Sequence, residues 1–179
     1  MNTDRETIAI YGEKADEYAA LVGDLEHNRT LENFMAELPD NAHVLDLGCG
    51  PGWAAAIMAR AGLQVTATDA APEMVEMAAK YTGVEAKCAS FDEVTELEVY
   101  DGVWANFALL HAARDDLPRY MKALVQALKP RGVLHIAMKS GKVEKRDSLG
   151  SFYTYVTQEE LEDLMLNAGA TPFFNNTGE

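Results

Sequence analysis

The sequence predicts a doubly wound α/β fold, a mostly parallel sheet with helices on both faces. Three observations predict it. From residue 43 onward short apolar strands alternate with amphipathic helices, each strand is bounded by Gly, Asp or Pro, and no repeat or low-complexity tract interrupts the alternation.

The elements follow in order. Residues 1–40 read as a helical segment that could cover a site: Ile8, Tyr11, Ala15, Tyr18 and Leu21 recur at three- and four-residue steps, and Leu31, Phe34, Met35 and Leu38 do the same. Pro39, Asp40 and Asn41 end it with turn chemistry. Residues 41–179 then form the main body of what reads as one domain overall. Strands are expected at His43 to Leu47, Gln64 to Thr68, Val84 to Cys88, Tyr100 to Ala105 and Gly132 to Met138. Helices are expected at Trp53 to Ala61, Pro72 to Tyr81 and Asp116 to Leu128, the last closed by the basic turn "KPRG". A final helix spans Thr157 to Ala168, with a capping box between Thr157 and Glu160, and "ATPFF" begins a further strand.

Composition narrows the partners. A chain of 179 residues, 48% hydrophobic, is long enough for one core. Its formal charge of −14 argues against nucleic acid and anionic lipid, because each phosphate contact needs a cation. The opening "MNTDRETIAIYGEKADEY" has no apolar signal region, and no run approaches the roughly 20 apolar residues of a membrane span. A cytoplasmic protein with a small-molecule partner is expected, as monomer or homodimer. Cys49 and Cys88 lack zinc-ligand spacing, so neither a metal site nor a disulfide framework is implied.

The chemistry concentrates in "VLDLGCGPGW", Val44 to Trp53. Glycines at 48, 50 and 52 follow a strand, where backbone can approach a ligand closely. The dinucleotide fingerprint fails because Trp53 stands where its third glycine belongs, and a P-loop fails because no Lys-Ser or Lys-Thr follows. Asp46 at the mouth disfavours pyrophosphate and suits a cation. Asp69 ends the second strand, where a carboxylate can accept two ribose hydroxyls.

These residues resemble motif I and the following strand ends of the class I S-adenosylmethionine-dependent methyltransferases. The resemblance runs from about Tyr11 to Phe174, and it also includes "AKCASFDEV", "YDGVWANFALLH" and "LKPRG" in the family's order. It implies the Rossmann-like class I methyltransferase fold, with S-adenosyl-L-methionine as cofactor and S-adenosyl-L-homocysteine as product. By that resemblance Asp46 lies near the methionine end, Gly48, Cys49 and Gly50 pass their backbone against the cofactor, and Asp69 and Ala70 hold the ribose. Met74 would lie on the adenine, although its step from Val75 and Ala78 also fits a core helix; Phe91 would be a further cofactor contact, and Ser90 or Asp92 would meet the adenine amino group. Asn106 and Phe107 would stand beside the sulfonium, and Tyr18 would reach down from the N-terminal segment; Tyr11 reads nearly as well as plain helix packing. The family's sheet ends in a hairpin of two more strands; "ATPFFNNTGE" is too short for it, so the last strand is expected to be missing.

His111, after the fourth strand, is the candidate general base or substrate contact, against the blander reading of a loop residue facing solvent. Arg146, in the basic stretch "KSGKVEKRDSLGSF", is the candidate contact for an anionic substrate group, against a solvated loop. Trp53 reads as packing, Cys88 as a buried strand residue, and His135 as a satisfied interior or edge histidine. The function expected is direct in-line methyl transfer to a small-molecule acceptor; the alternative is a non-catalytic or regulatory S-adenosylmethionine-binding module working with a partner chain.

Overall fold

The computed structural model describes residues 4–21 and 28–177. Two short helices, α1 (Arg5–Glu13) and α2 (Ala15–Leu21), precede α3 (Arg29–Ala36). Asp4 caps the first and Asn28 the third, each side chain accepting backbone N–H groups that the helix leaves unpaired. Leu21 closes α2; its side chain, like residues 1–3 and 22–27, lies outside the described set.

The body alternates β1 (His43–Leu47), α4 (Trp53–Arg60), β2 (Gln64–Asp69), α5 (Pro72–Ala78), β3 (Val84–Cys88), β4 (Tyr100–Asn106), α6 (Leu117–Ala127) and β5 (Leu128–Ala137). These strands form one sheet in the order β3-β2-β1-β4-β5, and every pairing in it is parallel. Such a sheet needs cover on both faces. Val44, Val65 and Trp104 pack with Leu31, Phe34, Ala55 and Met58, so α3 and α4 cover one face. Leu45, Leu47 and Val103 pack with Leu117, Tyr120 and Leu124 of α6 on the other. The two-residue period of β1 therefore feeds both cores.

A small antiparallel pair, β6 (Glu144–Arg146) and β7 (Phe152–Thr154), grows from the basic stretch after β5. Arg114 anchors it: its backbone N–H donates to Glu144, and its guanidinium donates to the Tyr155 carbonyl and pairs with Glu160. The final helix α7 (Gln158–Ala168) packs Leu161 and Leu164 against the α6 side of the core.

Four expectations need correction. Glu160 turns to Arg114 instead of the Thr157 backbone, so only half of the capping box forms, the Thr157 hydroxyl accepting from the Glu160 N–H. The "KPRG" stretch lies inside β5: Leu128 is already extended, and Lys129 reaches across to Asp101 at 2.9 Å. No strand forms from "ATPFF"; residues 170–177 have no regular structure, with Phe173 and Phe174 about 70% exposed. Cys88 is exposed, because β3 is an edge strand with one sparsely covered end.

Asp46 is the unusual residue of the sheet. Its carboxylate is buried at the carboxyl end of β1, faces the Ala55 N–H in the first turn of α4, and leaves Oδ2 without a partner. Burial, and then the charge of Asp69, push its pKa up to about 7 despite the favourable helix terminus. A carboxyl whose folded pKa exceeds its unfolded value stabilises the fold in its protonated form, so this contribution is lost as pH rises from about 4 toward 7. In urea titrations at about pH 5 and about pH 8, Asp46→Asn is expected to gain stability relative to wild type at the higher pH; a pH-independent difference would show that Asp46 titrates normally. Leu45→Ala, at a site 1% exposed, is expected to cost about 2–5 kcal/mol in the same assay.

Candidate functional site

The carboxyl ends of β1, β2 and β4 meet on one edge of the sheet, and α1 and α2 lie over them. Between sheet edge and helices is a cavity of about 110 Å³. Its lining includes Gly48 and Gly50 after β1, Asp69 to Ala71 at the end of β2, Ala89 and Phe91 after β3, and Asn106 to Ala108 at the end of β4. Met74 of α5 and His111 close its ends; Asp4, Thr7, Ile8, Tyr11 and Tyr18 form its cover. Among the described residues neither lysine nor arginine lines it.

The glycines are dictated by geometry. Gly48, Gly50 and Gly52 all adopt positive φ, at +66°, +53° and +90°. A Cβ on Gly48 would stand 2.6 Å from the Cβ of Ala108, and one on Gly52 would stand 2.7 Å from the backbone of Ala78. The loop thus turns tightly enough for its backbone to form the cavity floor.

Asp69 locks that loop in place. Its Oδ2 accepts the Gly50 N–H and its Oδ1 the Ala71 N–H, both at 2.9 Å. Each oxygen keeps a further lone pair toward the cavity, which fits a ligand offering hydroxyl donors. Burial pushes the Asp69 pKa up while the Ala71 and Gly50 N–H groups pull it down. Met74, Ala89 and Phe91 add apolar lining to the same cavity.

At the opposite end stands His111, on a single 3₁₀ turn from Leu109 to His111. Its Nδ1 lies 2.8 Å from the carbonyl of Phe152. A carbonyl only accepts, so Nδ1 carries the proton and the neutral ring keeps the lone pair on Nε2. Tyr11 and Tyr153 pack on the ring with centroids at 5.2 and 4.9 Å, and burial holds its pKa below the ordinary histidine value. Phe107, just before, adopts φ +56°, a strained conformation for a bulky residue, with its N–H held by the Ala137 carbonyl.

Polar contacts tie the cover to the β6–β7 pair. The Arg146 guanidinium forks onto both carboxylate oxygens of Asp4 at 2.8 and 2.9 Å, the Thr7 hydroxyl accepts the Phe152 N–H at 2.8 Å, and the Tyr11 and Tyr153 hydroxyls lie 3.3 Å apart. Tyr11 meets Tyr18 edge to face at 5.4 Å, and burial raises the pKa of both phenols.

The residues singled out in the sequence divide accordingly. Tyr18, Gly48, Gly50, Asp69, Ala70, Met74, Phe91, Asn106, Phe107 and His111 line the cavity. Asp46 lies beneath the glycine loop, 2% exposed, and Cys49 is buried with its thiol turned to the Gly50 carbonyl. Ser90 hydrogen-bonds Glu93 through both its N–H and its hydroxyl, and Asp92 is engaged by Arg119 and Tyr120, so neither turns inward. Arg146 is occupied by Asp4 and Glu6, outside the cavity wall. Sequence reasoning passed over Asp4, Thr7, Ile8, Ala71, Ala89 and Ala108; of these Ile8 was visible in the amphipathic stripe it shares with Tyr11.

Comparison with known proteins gives this geometry a family. A model described as a methyltransferase domain matches residues 44–132. The ubiquinone biosynthesis O-methyltransferase of Xanthomonas axonopodis pv. citri (strain 306) is 35% identical over 124 residues, 60% of this chain and 47% of that protein. The chain thus spans about half the length of the curated relatives it matches. Among solved structures, the 1,6-didemethyltoxoflavin-N1-methyltransferase of Burkholderia thailandensis, with 1,6-didemethyltoxoflavin and S-adenosylhomocysteine bound, superimposes with a TM-score of 0.78. It is 24% identical, and the match covers 94% of this chain and 78% of that one. An S-adenosylmethionine-dependent methyltransferase from Mesorhizobium loti superimposes with a TM-score of 0.64 at 20% identity, covering 77% and 79% of the two chains. The methyltransferase-domain match, the O-methyltransferase relatives and the shared fold agree, and the chain belongs to the class I S-adenosylmethionine-dependent methyltransferases.

Proposed function

We propose that this protein transfers the methyl group of S-adenosylmethionine directly to a hydroxyl of a small-molecule acceptor, with His111 as general base. One observation carries the reading: the Phe152 carbonyl holds the Nδ1 proton of a half-buried imidazole that lines the cavity, and among the described residues Nε2 has no hydrogen-bond partner. The curated relatives named as ubiquinone biosynthesis O-methyltransferases support an oxygen acceptor on a ring.

Bound S-adenosylmethionine supplies an electrophilic methyl carbon on a positively charged sulfur. In this reading the free lone pairs of Asp69 receive the ribose hydroxyls, and Met74, Ala89 and Phe91 flank the adenine. The backbone of Gly48 and Gly50, which forms part of the cavity lining, would hold the amino-acid portion. A pocket lined by Asp69 and, among the described residues, by no lysine or arginine suits such a cation and opposes a pyrophosphate. Nε2 of His111 takes the acceptor's hydroxyl proton, while Tyr11, Tyr18 and α1 keep water from the reacting oxygen.

Incubating the protein with S-adenosylmethionine and a panel of catechols and hydroxybenzoates, read by mass spectrometry, tests the activity. His111→Ala is expected to lower kcat by about 10²–10⁴-fold while leaving S-adenosylhomocysteine affinity nearly unchanged by calorimetry. A base acts when deprotonated, so the rate should rise with pH and level off, its midpoint below 6.5 because burial disfavours the imidazolium. An unaltered kcat in His111→Ala would remove the base; absence of any binding of S-adenosylhomocysteine by the wild type would remove the whole reading.

A further inference from the structure

His135 sits on β5 one strand away from the cavity and does not line it. Its ring stacks on Trp104 with centroids 3.8 Å apart and planes 19° apart, and Phe34 meets its edge. Its Nε2 lies 3.1 Å from Oδ1 of Asn106, which does line the cavity. An amide oxygen only accepts, so the proton is on Nε2. Burial pushes the His135 pKa down to about 4, so the ring is neutral near pH 7 and has this one N–H.

The consequence falls on Asn106. With Oδ1 taken from behind, the amide is oriented with its NH₂ group presented as donor, and among the described residues that nitrogen has no partner. Asp46 is level with Trp104 in the β1–β4 pairing, so Asn106, two residues on, leaves the sheet beside the glycine loop. Two strand spacings, about 10 Å, separate it from Asp69 on the far side of β1. A nucleoside whose ribose sits at Asp69 reaches Asn106 with an attached amino-acid chain. Since among the described residues no lysine or arginine lines the cavity, a carboxylate at that end is met by neutral donors.

We propose that His135 is a positioning residue, which fixes the Asn106 amide so that its NH₂ donates to the amino-acid carboxylate of the bound cofactor. The inference rests on the cofactor reading above and adds a residue that touches no ligand.

Calorimetry with two probes tests it: S-adenosylhomocysteine, which carries the carboxylate, and 5′-methylthioadenosine, which lacks the whole amino-acid chain. His135→Phe keeps the stack on Trp104 and removes the donor; it is expected to weaken S-adenosylhomocysteine about 10-fold and leave 5′-methylthioadenosine unchanged. His135→Gln places an amide N–H near the position of Nε2 and should restore most of the affinity. Asn106→Ala should weaken S-adenosylhomocysteine to a similar degree, and combining it with His135→Phe should add little, because one residue acts through the other. Additive losses, equal impairment by Phe and Gln, or weakening of both probes alike would overturn the proposal in favour of a purely structural histidine. So would an unchanged S-adenosylhomocysteine affinity in His135→Phe, and that result leaves the cofactor reading standing; a wild type that binds neither probe ends the cofactor reading first.

Discussion

The Asp69 carboxylate is the constraint from which the rest of the site follows. A parallel sheet ends in a row of independent loops, and nothing in strand pairing alone fixes one loop against the next. Asp69 joins two of them by accepting N–H groups from Gly50 and Ala71. The glycine loop can then hold three residues at positive φ in one arrangement, with Gly48 pressed on Ala108 after β4. The ends of β1, β2 and β4 thereby become one surface. That rigidity costs the burial of an acid, seen in its raised pKa, and the two N–H donors offset part of that cost.

The cover is built on the opposite terms. Its ties to the β6–β7 pair are an ion pair at a largely exposed arginine and hydrogen bonds through two hydroxyls. Pairs of that kind contribute little each and compete readily with water. Apolar contact beneath the cover is also small, a cluster of Ala15, Ala71 and Met74 with Ile8, Tyr11 and Met77 against it. The molecule therefore combines a floor held by buried backbone hydrogen bonds with a roof held by weak, separable contacts. A site that must admit and release its ligands needs that division.

Legibility in the sequence follows the range of the interactions. The strands, the order of helices and the glycine loop were readable because period, turn residues and spacing are local properties, and Asp69 because a strand-end acid 23 residues after Asp46 has a known physical use. Arg146 was misplaced as a substrate contact because its partner Asp4 lies 142 residues away, and Asp92 because Arg119 and Tyr120 reach it from α6. Ser90 is different: Ser90 and Glu93 form a capping-box pattern that the sequence displays, and attention to it would have shown the hydroxyl to be engaged. Conversely His135 was readable as an interior histidine, yet its bond to Asn106 depends on the β4–β5 register, which no single strand encodes.

Electrostatics connects these parts. The chain has a formal charge of −14, and the two acids nearest the floor, Asp46 and Asp69, both have raised pKa values, with the charge of Asp69 contributing to the shift at Asp46. A cation entering the cavity would stabilise both carboxylates, and by reciprocity the ionised carboxylates stabilise the cation. Protons and a positively charged ligand therefore compete for the same two groups. The burial that weakens the fold at neutral pH is thus the source of a field that the ligand, when present, relieves. This is why an acid with an unpaired oxygen can persist beneath the glycine loop: its cost is borne by the empty protein, and its return comes with a cation above it.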